Sequence, residues 1–300
     1  MTVSGCSAGH IICDFALKPK VNFKTIEMSR SIAEERYPGI ISWYDSLHSE
    51  GVFRDTVIVG ETGVNIHSVY AGLSDAEGTA LIIHGYCSNY VGMLHLARMY
   101  RDSLNFNVIL PDLQYHGKSG GVVRMGWYDR LDVKRWLYVA DSLWHNDFVA
   151  VHGVSMGGAT TMMVSGEPDL PENVRCFIED CGYTSVWDEY DALRLKHTRL
   201  SEKTLQKASD YCEKKYGWNF KEASSVSQLA HCEKPMLFIH GNPDNFVPVD
   251  FVYQCYDAKT KGYKEIWVEP DTPKHALMFK EHTSAYIDHV RLFIERVRKM

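Results

Sequence analysis

The sequence predicts an α/β protein whose central sheet is mostly parallel and flanked by helices. Three observations carry this reading: apolar runs that end in glycine, stretches of helical spacing between them, and enough chain to cover both sheet faces. The 300 residues are 45% apolar and 23% charged, the composition of a folded globular chain. A chain of this length buries roughly 75% of its unfolded surface. Strands that alternate with helices form a parallel sheet because each crossover helix packs back onto it.

Residues 1–50 read as an N-terminal helical arm, with Ile26, Ile32, Ile40, Ile41 and Trp43 spread among charges so that short helices lie on the main body. The main unit runs over 51–300. Thr56–Val59 and Ile66–Ala71 alternate as paired strands around a turn at Glu61-Thr62-Gly63. Thr79–His84 is a continuous apolar run closed by Gly85, as expected of a strand buried on both faces. Met93, Leu96, Ala97 and Tyr100 place a helix over 90–104, Val108–Leu110 is the next strand, and 128–143 the next helix. Phe148–His152 runs into Gly153, after which the chain turns helical through Met162 and Met163. Val174–Glu179, Met236–His240 and Glu265–Val268 complete the strands, and a helix through Tyr286, Val290, Leu292, Phe293 and Val297 closes the chain. Between Asp180 and Pro235 no strand pattern occurs. Residues 184–232, which include Trp187, Tyr190, Leu193, Leu205, Tyr216 and Trp218, read as a helical lid over the carboxyl ends of the strands, where such sheets bind ligands. A sheet-covering helix with long loops is the alternative.

The formal net charge of -6 argues against a nucleic-acid partner, and Lys203, Lys207, Lys214 and Lys215 lie among acidic residues as on a solvated helix face. The eight cysteines form no CxxC pair and have no histidine at zinc-finger spacing; they read as reduced, mostly buried thiols, with a structural disulfide as the alternative. There is no HExxH, P-loop or strand-linked GxGxxG, so neither a cofactor nor a metal is expected. No apolar run approaches about 18 residues, so no transmembrane segment is expected. The chain as given is expected in the cytoplasm. Val3-Ser4-Gly5-Cys6 matches the end of a bacterial lipoprotein signal, however, which makes the cell envelope the alternative if an anchor has been removed.

The sharpest chemical signal is Gly153-Val154-Ser155-Met156-Gly157-Gly158, between a strand and a helix. So sharp a turn leaves no room for side chains beside the serine, and it exposes the hydroxyl at a helix N-terminus. A neutral serine needs a base, and the base needs a carboxylate to fix its tautomer. Asp244, in the polar loop His240-Gly241-Asn242-Pro243-Asp244 after a strand, is the leading acid; Asp180 is a serious rival and Asp271 a weaker one. His275, between the last strand and the last helix, is the leading base. His282 and His289 read as surface helix positions, and His152 and His240 as core histidines or supports to the site. The oxyanion donors are expected to be the backbone N–H groups of Met156 and of Tyr86, in the His84-Gly85-Tyr86-Cys87 turn.

His84-Gly85, the Ser155 turn, Asp244 before Val247-Pro248, and His275 together resemble the α/β-hydrolase superfamily. Asp14–Lys18, His116-Gly117-Lys118-Ser119 with Met125-Gly126-Trp127 and Asp132, and Asp180–Trp187 are similar to a group of bacterial membrane-anchored or cell-surface hydrolases. Where many of those relatives carry Arg-Gly before the His-Gly of the fourth-strand loop, this chain has Gln114-Tyr115, which bears on substrate rather than chemistry. The resemblance implies a serine esterase that cleaves a small-molecule carboxylic ester through a Ser-His-Asp triad and an acyl-enzyme. A peptidase resembling the prolyl oligopeptidase group is the alternative, although those relatives usually carry a β-propeller for which 300 residues leave no room. A non-catalytic binding protein on the same scaffold is a third reading.

Overall fold

The computed structural model describes residues 6–18, 23–197, 200–272 and 274–300; the Val3-Ser4-Gly5 motif lies outside them. Helices α1 (Cys6–Leu17), α2 (Ile26–Arg36) and α3 (Ile40–Ser49) precede the sheet. Thr25 starts α2 by accepting the Met28 N–H at 3.2 Å, a side-chain cap that satisfies one of the free donors of the first turn. Ser29, Ala33, Ile40 and Tyr44 are the buried positions of α2 and α3, which pack on the body.

Eight strands follow: β1 (Phe53–Val59), β2 (Asn65–Ala71), β3 (Gly78–Ile83), β4 (Phe106–Pro111), β5 (Val149–Val154), β6 (Val174–Asp180), β7 (Met236–Asn242) and β8 (Lys264–Pro270). They form one sheet in the order β1-β2-β4-β3-β5-β6-β7-β8. β1 and β2 pair as a hairpin with Val59 opposite Asn65, β2 is also antiparallel to β4, and every pairing from β4 to β8 is parallel. β3 and β5 are buried at every position, which is why their sequences run apolar without alternating.

Helices α5 (Asp129–Trp144) and α6 (Met156–Ser165) cover one face of the sheet, and α12 (Thr283–Arg298) covers the other. The expected helix over 90–104 is interrupted. It opens as a 3-10 turn at Tyr90–Met93, becomes α4 (Leu94–Arg98) and widens into a π turn at Met99–Ser103. The Asn89 side chain sets that start by accepting the Val91 N–H at 3.1 Å. Two short helices, α10 (Asp250–Ala258) and α11 (Met278–Glu281), carried too little periodicity to be read in advance.

Between β6 and β7 the chain forms α7 (Val186–His197), α8 (Glu202–Tyr216) and α9 (Ser225–Leu229). An antiparallel bridge between Ser185 and Ser224 ties the ends of this helical segment together. α1 does not lie on the sheet. It packs along α8, where Asp14 meets the Lys215 ammonium at 2.9 Å and Cys13 and Cys212 are fully buried. Among the described residues the seven cysteines other than Cys6 are free, and all but Cys87 are buried. No helix of the described residues is long and apolar enough to cross a membrane.

Candidate active site

The loops at the carboxyl ends of β3, β5, β7 and β8 converge on Ser155. Gly153 and Gly157 allow the turn that presents it: a Cβ at Gly153 would lie 2.0 Å from the Gly157 carbonyl, and one at Gly157 would lie 2.1 Å from the Ile83 carbonyl. Ser155 itself has φ 59° and ψ -120°, a backbone state that costs a non-glycine residue on the order of 1–3 kcal/mol. Its N–H donates to the Asp180 carbonyl at 2.7 Å, which pins the turn to β6.

The structure brings Ser155, His275 and Asp244 together. The Ser155 hydroxyl donates to His275 Nε2 at 2.7 Å, and His275 Nδ1–H donates to Asp244 Oδ2 at 2.6 Å. Asp244 Oδ1 accepts the N–H groups of Phe246 and Val247 at 2.7 and 3.1 Å, so both carboxylate oxygens are aimed. Asn245 Oδ1 accepts the His275 N–H and holds the base loop against the acid loop. The Asp244 side chain is 2% exposed and that of His275 17%. Burial would raise the Asp244 pKa, but hydrogen bonds from His240 and His275 outweigh it and hold the carboxyl below the usual range.

The other histidines divide by partner. His240 is the support expected of it, with Nε2 3.4 Å from Asp244 Oδ2 and 3.2 Å from the Val247 carbonyl. His152 is held in the core between the hydroxyls of Tyr100 and Tyr286. His282 and His289 are not plain surface positions. His282 falls between α11 and α12 and shares a hydrogen bond with Thr272, while His289 stacks on Trp267 at 4.1 Å; packing against β8 draws both rings inward.

Asp180, the rival acid, is engaged elsewhere. It accepts from the Tyr286 hydroxyl at 2.9 Å, and burial lifts its pKa to about 6. Asp271 follows β8 in the turn that leads to His275, whose ring it does not contact; Asp244 takes that position.

Met156 opens α6, and neither its N–H nor that of Tyr86 has an acceptor among the described residues. A Cβ at Gly85 would lie 3.2 Å from the Ser155 Cβ, so the turn after β3 passes directly over the hydroxyl. Two neutral imidazoles hold that turn. His84 Nδ1–H donates to the Gly85 carbonyl while its Nε2 accepts the Leu113 N–H at 2.9 Å; His116 Nε2 accepts the Cys87 N–H at 3.2 Å while its Nδ1–H donates to the Gln114 carbonyl. Burial, then the neighbouring His84, pushes the His116 pKa far below its ordinary value, so it remains an acceptor. The His116-Gly117-Lys118-Ser119 motif therefore supports the turn after β3. Its glycine is required because a Cβ there would meet the Asp112 carboxylate at 2.2 Å.

Ser155 lies between two cavities. The larger, about 530 Å³, is walled by apolar and aromatic side chains, among them Ile11 and Phe15 of α1, Met125, Leu205, Phe220 and Phe246. The smaller, about 220 Å³, borders Ser155, His275, Gly85 and Tyr86 and includes Lys24 and Arg36. That α1 forms a wall of the larger cavity could not be read from the sequence, which shows helices in the arm but not their seat. Cys181, Asp244 and His275 offer ligand atoms within 4.8 Å of one another, but Asp244 and His275 spend theirs on each other.

Comparison with known proteins places this geometry. The model of the prolyl oligopeptidase family matches residues 125–297, more than half of the chain. This chain belongs to the prolyl oligopeptidase family. It is a serine hydrolase of the α/β-hydrolase superfamily. The uncharacterized protein YqkD of Bacillus subtilis is 27% identical over 245 residues, covering 80% of this chain and 79% of that one. Among solved structures, an esterase of Pyrococcus furiosus, Pf2001, superposes with a TM-score of 0.64 at 21% identity, covering 81% of this chain and 90% of its own. A membrane phospholipase A superposes at 0.62 with 15% identity, covering 89% and 94%. An acylaminoacyl peptidase of the same fold superposes at 0.58 with 15% identity; this chain spans 85% of itself but 43% of that longer protein.

Proposed function

We propose that this protein hydrolyses carboxylic esters with a large apolar acyl group. The observation that carries the reading is the Ser155–His275–Asp244 hydrogen-bond chain, which opens into an apolar cavity large enough for an extended acyl chain. Ser155 Oγ attacks the acyl carbon as its proton passes to His275 Nε2. The carbonyl oxygen takes the negative charge and is held by the N–H groups of Tyr86 and Met156. Collapse breaks the bond to the alcohol oxygen, which receives the proton from His275, and leaves an acyl-serine. Water, deprotonated by His275, then releases the acid and restores Ser155. The larger cavity holds the acyl group and the smaller one the leaving alcohol, and the helices over 184–232 act as a lid over the acyl side.

The family match favours a second reading, a peptidase that uses the same three residues. The two separate in one assay: turnover of p-nitrophenyl esters from acetate to palmitate beside peptide anilides. The ester reading expects kcat/KM to rise with acyl length and anilide turnover to stay far lower. Anilide cleavage at comparable kcat/KM would install the peptidase.

A further inference from the structure

The larger cavity holds one group out of keeping with its walls. Glu189, in the first turn of α7, is 2% exposed, and among the described residues neither of its carboxyl oxygens has a hydrogen-bond partner. It lines the same cavity as Ser155. The Tyr190 hydroxyl in that wall is also buried and without a partner among the described residues. Arg194, the cation among the described residues lining the cavity, is engaged by Asp191 at 2.7 Å and by the Leu200 carbonyl. A buried carboxyl without a partner destabilises the fold, and a charged one destabilises it most. An acyl pocket has no need of such a group unless it meets something polar in the ligand.

We propose that Glu189 is a specificity-determining residue whose carboxyl, as a neutral acid, exchanges hydrogen bonds with a hydroxyl group carried along the otherwise apolar acyl chain of the substrate. Burial, reinforced by the Asp244 charge, raises the Glu189 pKa to about 8, so the acid is protonated at neutral pH and offers both a donor and an acceptor. A hydroxyl matches both, whereas an uncharged acid needs no cation. The inference rests on the ester reading, because it assigns Glu189 to the acyl side of Ser155.

Binding is measured first with Ser155→Ala, which holds an ester without turning it over, by calorimetric titration with methyl octanoate and its monohydroxylated positional isomers. One isomer should bind about tenfold tighter than the parent ester, the yield of one good hydrogen bond in a dry site. Adding Glu189→Gln should preserve that preference, since an amide also donates and accepts. Adding Glu189→Leu, or Glu189→Met as a second apolar variant, should abolish it while the parent ester still binds. Wild-type kcat/KM should rank the isomers in the same order. Equal binding of all isomers, or a preference that survives Glu189→Leu, overturns the proposal. So does loss of the preference in Glu189→Gln together with tighter binding of an amino-substituted octanoate, because the carboxyl would then be a counter-ion. Absent ester turnover with the hydroxyl preference intact would sink the ester reading and leave the role of Glu189 standing.

Discussion

At the scale of single residues, the site depends on which carboxylate reaches the imidazole. Asp244 does so through Oδ2 while backbone N–H groups of its own loop hold Oδ1, whereas Asp180 is turned toward Tyr286. Asp244→Asn should therefore lower kcat on the order of 10⁴-fold through the wrong imidazole tautomer, with the fold retained. Asp180→Asn, measured beside it, should cost far less; the reverse ranking would reassign the acid. Ser155→Ala should lower kcat by roughly 10⁴ to 10⁶ and abolish labelling by a fluorophosphonate. Labelling that persists in Ser155→Ala would place the nucleophile elsewhere. The three residues were legible because each lies just past a strand, where only backbone logic is needed to place it. Glu189 was not legible. A glutamate in the first turn of a helix reads as a solvated, dipole-stabilised position, and its burial is set by tertiary packing, with α8 against α7 and the cavity walls around it.

At the scale of elements, the helices that wall the larger cavity decide its size. The Tyr86 hydroxyl donates to the Ala16 carbonyl at 2.9 Å, joining α1 to the turn after β3. Ile11 and Phe15 of that helix line the cavity yet stay 65% and 72% exposed, so α1 forms a thin, one-layer wall. Removing residues up to Leu17 should reduce kcat/KM for palmitate and octanoate esters at least several-fold and leave acetate nearly unchanged, since a short acyl group stays near Ser155. An equal loss along the whole p-nitrophenyl series would show that α1 supports the fold rather than the cavity. The strands and long helices were readable because each has one burial pattern over many residues. The seat of α1, the π turn at Met99–Ser103 and the antiparallel β2–β4 pairing were not, because each is set by partners distant in sequence.

At the scale of the whole molecule, two sets of buried groups pull stability in opposite directions with pH. Burial, as the leading cause, lowers His84 and His116 and takes His95 and His152 to about 3, against an ordinary histidine value of 6.5. These rings are neutral in the fold and protonate more readily in the unfolded chain, so they destabilise the fold as pH drops below 6.5. Burial also raises five carboxyls: Asp132, Asp180 to about 6, Asp129 to about 7, and Glu179 and Glu189 to about 8. Each of these binds a proton more tightly folded than unfolded. Its contribution is complete below the unfolded values of 3.8 and 4.5 and is lost as pH rises through 6 to 8. Between about 4 and 6.5 the two sets oppose each other; above 6.5 the carboxyls act together with His240, whose raised pKa also loses its contribution there, and below 4 the histidines act together with the loss of the lowered Asp14, Asp55 and Asp244. Tm should therefore be nearly level from about pH 4 to 6.5 and fall on either side. Glu179→Gln, which keeps an acceptor for the Gly182 N–H, should make the alkaline fall shallower. A Tm that climbs steadily from pH 7 to 9 in the wild-type protein would mean that these carboxyls are ionised in the fold, and with them Glu189 in the substrate cavity.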